Sequence, residues 1–142
     1  MKNILFFFFI TISLFSCRIE TNNAEINVEN TVIKGSWKVT HFEKFDSVST
    51  QDYSGYVLHF NNDGSINVEH DETLIEGTWS ISDPNPYEDY IQDLKFNLFF
   101  TDDPLNKLTN NWDIDFQNNN TLRLVDFSMT SGESILLVLE KV

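Results

Sequence analysis

The sequence predicts an all-β protein: an antiparallel up-and-down meander of about eight strands, closing into a β-barrel. Three observations predict it. From Val32 onward, apolar residues recur at every second position, which is the period of a strand with one buried face. Turn-forming clusters interrupt these runs at short intervals, as at Asn62-Asp63-Gly64, Asp83-Pro84-Asn85-Pro86 and Asn118-Asn119-Asn120. No stretch of the body carries a convincing helical period. An open meander of eight strands would leave two unpaired edges, and closure into a barrel removes both.

The first strand is read at Trp37, Val39 and His41, which alternate with Lys38 and Thr40. The second holds Tyr56, Leu58 and Phe60, and the third Ile66, Val68 and His70. The turn between them fits a three-residue loop in which Gly64 takes the left-handed conformation and makes a bulge that matches strand twist. That register places Asn61 against Ser65, Phe60 against Ile66, Leu58 against Val68 and Tyr56 against His70, so one side of the hairpin is apolar throughout. The fourth strand holds Gly77, Trp79 and Ile81; the fifth Leu94, Phe96, Leu98 and Phe100. Asp102-Asp103-Pro104 ends that run. Trp112, Ile114 and Phe116 make the sixth strand, Leu122 and Leu124 the seventh, and Ile135, Leu137 and Leu139 the eighth.

Gly35-Ser36-Trp37 opens the first strand as a G-x-W motif does in lipocalins. With the later Phe60-Asn61-Asn62-Asp63-Gly64 and the Gly77-Thr78-Trp79-Ser80-Ile81 stretch, the body from about residue 32 to 142 resembles the small lipocalin-like domains of bacterial lipoproteins. Lipocalins carry a helix after the last strand, whereas this chain stops at Val142. A curved sheet or a sandwich is therefore the alternative to a closed barrel. The resemblance implies a protein that binds a small apolar ligand in the barrel mouth. The pocket candidates are Trp37, His41, Tyr56, His70, Trp79 and Trp112, with Tyr56, His41 and His70 as the polar fixtures. An eight-stranded barrel is just wide enough to hold one small ligand or to be filled by its own side chains. The expected inward set is bulky, adding Phe60, Phe96, Phe100 and Phe116, and aromatic residues make up 14% of the chain.

The N-terminus has a different character. Met1-Lys2-Asn3 precedes an apolar run from Ile4 to Phe15 that ends at Ser16-Cys17. As a helix this run would rise roughly 18 Å, too short for a bilayer core of about 30 Å. A basic start, a short apolar run and a small residue make the layout of a secretory signal peptide. Leu14-Phe15-Ser16-Cys17 resembles the lipobox of bacterial lipoproteins, in which the cysteine thiol receives a diacylglycerol and becomes the new N-terminus. The resemblance implies a signal peptide over residues 1–16, a lipidated Cys17 on a polar tether to residue 31, and a barrel domain over 32–142. Cys17 is the single cysteine, so no disulfide is expected. The implied location is the cell envelope, at the outer membrane facing the periplasm, with the N-terminal acyl chains, palmitate or similar, as the membrane anchor.

The formal charge is −13, from 9 basic and 22 acidic side chains. Nucleic-acid binding depends on neutralising phosphates with Lys and Arg, so nucleic acid is not an expected partner. Three histidines without a second thiol give no metal-ligand spacing, and no nucleophile elbow, phosphate loop or dinucleotide fingerprint is present. No cofactor, no metal and no enzymatic activity are expected. One feature points to an interaction surface instead. The late strands are apolar on both faces: Phe99, Val125, Phe127, Leu136 and Val138 lie on the side away from the core. The outer face of an antiparallel barrel is ordinarily polar. Two functions follow as alternatives: a carrier of a small apolar ligand, or a packed barrel that serves an envelope complex, or its own self-association, through its outer face.

Overall fold

A computed structural model describes residues 23–87, 90–128 and 130–142. Cys17, the lipobox and the apolar leader lie outside the described residues. Among the described residues nine strands follow one helix: α1 (Asn23–Val32), β1 (Trp37–Lys44), β2 (Ser47–Val48), β3 (Val57–Phe60), β4 (Ser65–His70), β5 (Thr73–Ser82), β6 (Lys95–Phe100), β7 (Asn110–Gln117), β8 (Thr121–Phe127) and β9 (Ser134–Lys141). All eight expected segments are strands. The additional one, β2, is a short flap folded back on the end of β1 through Phe45 and Asp46, both at positive φ. Two consecutive left-handed residues are the geometry of a tight two-residue hairpin, here built without glycine.

The meander closes. Each strand from β3 to β9 pairs antiparallel with its neighbour, and β1 pairs with β9 from Trp37 opposite Lys141 to Lys44 opposite Ile135. On its other side β1 meets β3 through Trp37 opposite Leu58. The ladder is thin there, and a side-chain bond adds to it: Ser36 Oγ lies 3.0 Å from His59 Nδ1. The result is an eight-stranded antiparallel barrel, with β2 outside the ring.

The first hairpin adopts the expected register. Leu58 faces Val68 and Phe60 faces Ile66. Asn61 N–H donates to Ser65 O, and Gly64 sits at φ +84°. Tyr56 and His70 continue the pairing as stacked rings, 3.9 Å between centroids.

Two bulges change the expected facing. In β1 the register shifts between Val39 and His41. Phe42 then turns inward and is buried, and His41 turns outward opposite Val138. In β7 the register shifts between Ile114 and Phe116, so Phe116 leaves the expected inward set and is 44% exposed opposite Arg123. A bulge inserts one residue, and every side chain beyond it changes face.

The expectation of a polar tether through residue 31 also needs correcting. Residues 23–32 form α1, whose Val28 and Val32 are fully buried in the core. Ala24, Val28 and Val32 stand four apart and make one narrow helical stripe. The helix lies across one end of the barrel. Its start adjoins Ile91 and Gln117, and its later part adjoins the Asn62–Gly64 turn and Trp79–Ile81. The Trp37 indole N–H donates to Val32 O at 2.8 Å, which fixes the last turn of the helix to the first residue of the barrel. A helix this short gains its stability from such tertiary contacts rather than from propensity.

The opposite end is closed by two short 3-10 turns, Thr50–Tyr53 and Leu105–Leu108. Tyr53, Leu105 and Leu108 are buried there, and Tyr53 packs edge-on against Phe42 at 5.3 Å. Lys107 lies 3.8 Å from Asp52 and 3.5 Å from Asp103, linking the two turns at the surface.

Candidate functional site

The inside of the barrel is built from the alternate residues of every strand. Trp37, Val39, Phe42, Leu58, Phe60, Ile66, Val68, Trp79, Phe96, Leu98, Trp112, Ile114, Leu122, Leu124, Leu137 and Leu139 are all exposed by 8% or less. A void wide enough for water would leave its lining side chains accessible. These are almost wholly inaccessible, so among the described residues the interior is filled by their own side chains.

The three tryptophans among the pocket candidates belong to that filling. Each indole N–H donates to a backbone carbonyl: Trp37 to Val32 at 2.8 Å, Trp79 to Asn61 at 2.9 Å and Trp112 to Leu108 at 3.0 Å. A buried indole N–H must find an acceptor, and here each one ties the barrel wall to a helix or loop at its end. Phe60, Trp79 and Phe96 pack as a trio, with centroids 5.5–5.8 Å apart. Tyr56 and His70 stand together at the rim, half-buried and stacked. His41 is separated from them by the bulge; it lies on the outer wall with Nε2 3.0 Å from Glu43 Oε2.

The outer-face candidates divide into two places. Val125 faces Leu136, Arg123 faces Val138 and Phe127 faces Ser134 across the β8–β9 ladder. Val125, Leu136 and Val138 are half-buried, and Phe127 is 58% exposed. These four side chains form one strip. Phe116 adds to it from β7, with the Arg123 guanidinium 5.8 Å from its ring centroid. Phe116 was hidden from sequence reasoning because its alternation with Trp112 and Ile114 pointed it inward. Arg123 lies within the strip, between Val138 and Phe116, and pairs with Asp115, while the Lys95–Asp113 pair and the hydrogen-bonded His41 and Glu43 border it.

Phe99, 54% exposed, lies elsewhere. It sits on β6 opposite Thr78 of β5, so β7 separates it from the β8–β9 strip. It borders a groove of about 460 Å³ on the outer wall of β5, β6 and β7.

The perturbed groups are structural in origin. Burial, with Asp52 and Asp103 nearby, pushes the Tyr53 phenol well above its ordinary range and keeps it protonated. Burial, Glu29 and Asp83 raise Glu25 on α1. The Ser65 hydroxyl and backbone N–H hold Asp63 below the usual carboxylate range in the β3–β4 turn. Among the described residues no group of three or more His, Cys, Asp or Glu side chains is placed to hold a metal ion. No helix among them is long and apolar enough to cross a membrane.

No family model matches the chain, and no curated protein matches it. Among solved structures, the chain is similar to a DUF4847 family protein from Bacteroides vulgatus ATCC 8482. The likeness has a TM-score of 0.48 and 19% sequence identity, and it covers 78% of this chain and 95% of that one.

Proposed function

We propose that the protein is a lipid-anchored lipoprotein of the cell envelope whose packed, lipocalin-like barrel serves as an accessory module, docking a partner protein on the β8–β9 wall. The observation that carries this reading is the contrast between a filled interior and an apolar exterior strip of Val125, Phe127, Leu136 and Val138. A carrier of a small apolar ligand needs an open interior, and here both ends are capped. An apolar strip that carries one arginine, Arg123, and has charged side chains at its rim has the composition of a protein interface, where arginine is enriched and Lys, Glu and Asp are depleted. A second copy is the less suitable occupant, because each copy carries a charge of −13 and pairing would bring like charges together. A partner with an apolar ridge and basic flanks suits the surface. Cys17 acyl chains at the outer membrane, facing the periplasm, would hold the module near such a partner.

The test is native mass spectrometry of the full chain isolated gently from its host, beside a Val125→Asp/Val138→Asp variant and a Phe99→Ala control. The reading expects a stoichiometric protein complex that survives Phe99→Ala and disperses in the double variant. A complex unaffected by the double variant, a homodimer, or a bare monomer would overturn it. Extra mass lost on organic extraction would restore the carrier reading.

A further inference from the structure

The groove on the outer wall of β5, β6 and β7 has a chemistry of its own. Thr78, Ser80, Asn97, Phe99, Thr109 and Asn111 line it. Hydroxyls and carboxamides surround one exposed phenyl ring, and in a chain of charge −13 a single carboxylate among the described residues, Asp63, reaches its edge. Its volume of about 460 Å³ lies within the range of about 300–1,000 Å³ usual for small-molecule sites.

The polar groups are held in place. Asn97 Nδ2 donates to Ser80 Oγ at 3.1 Å and to Ser82 Oγ at 3.2 Å, which fixes its carboxamide across the β5–β6 ladder. Asn97 and Asn111 stand opposite each other on β6 and β7. Thr109 Oγ1 accepts from Phe100 N–H at 2.8 Å, pinning the start of β7 beside the ring of Phe99. Phe99 is opposite Thr78 on the other side.

We propose that this groove binds an uncharged oligosaccharide. A sugar ring offers an apolar C–H face and a periphery of hydroxyls. The phenyl ring of Phe99 suits the first, and side chains that both donate and accept suit the second. An anionic ligand would meet the acidic field of the whole chain with no Lys or Arg among the described lining residues. A cationic ligand would find one carboxylate at the rim. An extended peptide added as a strand has no edge to pair with, because β5, β6 and β7 are each bonded on both sides. The inference stands apart from the β8–β9 wall and would survive the failure of the reading above.

The experiment is a ¹⁵N NMR titration of the full chain in a detergent without a sugar headgroup. The probes are maltohexaose, cellohexaose, mannohexaose and xylohexaose, with a hexamer of galacturonic acid as the anionic control. At least one neutral hexamer should shift the Asn97 and Asn111 side-chain amides saturably, with a dissociation constant of about 1 mM, as suits an open groove. Phe99→Ala should weaken that binding roughly fivefold or more, and Val125→Asp/Val138→Asp should leave it unchanged. The half-exposed position of Phe99 makes its variant safe for the fold, which near-ultraviolet circular dichroism checks. No saturable shift with any neutral hexamer up to roughly 20 mM would overturn the proposal. So would binding indifferent to Phe99→Ala, or equal binding of the galacturonate hexamer.

Discussion

Gly77 faces Phe100 across the β5–β6 ladder. A Cβ added at Gly77 would stand 2.3 Å from Phe100 Cε1 and 2.9 Å from Phe99 O. The ring is buried and the carbonyl is in the ladder, so neither yields freely. Gly77→Ala is expected to destabilise the fold by about 1–3 kcal/mol, the range for overpacked cores, and the urea midpoint measures it. The glycine therefore makes room for an aromatic ring on the next strand, a role that its place in a G-x-W motif did not disclose. Asp63 carries a second prediction. Its folded pKa lies below the unfolded value because Ser65 donates to it twice. Its contribution to stability is thus present above the unfolded pKa and fades as pH falls through the folded one. Asp63→Asn should flatten the acid side of the stability profile, read as urea midpoints between about pH 5 and pH 2. A carboxyl titration of Asp63 by NMR should show the same depression directly.

At the scale of elements, strand positions were legible wherever strict alternation holds. The β3–β4 hairpin is the clearest case, because Asn62-Asp63-Gly64 names its turn and the turn fixes its register. Alternation misleads past a bulge. In β1 the signal for one was present: Phe42 is large and apolar, yet period two placed it outside. In β7 there was none, since Phe116 is apolar on either face and only the backbone decides. Helix α1 was missed for another reason. Its stripe is one residue wide, in a segment otherwise rich in Asn and Glu, and short helices owe their existence to what they cover. Val28→Asp tests that dependence. A carboxylate at a fully buried site beside the core is expected to cost about 3 kcal/mol or more. It should also release the Val32 carbonyl from Trp37, visible as a shift in the Trp37 indole N–H resonance.

Closure belongs to the whole molecule, and no local pattern announces it. The β1–β9 ladder joins residues roughly a hundred positions apart, and the edge argument supplies a reason for closure without showing where the sheet joins. The two ends then decide what the barrel can hold. Val28 and Val32 fill one end, Tyr53, Leu105 and Leu108 fill the other, and three tryptophans are bonded to backbone along the wall. A large aromatic content could have meant a lined pocket or a solid core, and composition is the same for both. The burial of these rings selects the core. A neutral apolar dye separates the two in solution. N-phenyl-1-naphthylamine titrated into the full chain should give no saturable one-to-one rise in fluorescence. The Val28→Asp variant, with one end loosened, should take it up more readily than the parent chain does. Saturable uptake by the parent chain, at the same affinity in both proteins, would mean that the barrel opens without displacing α1. The ligand would then belong inside rather than on the wall.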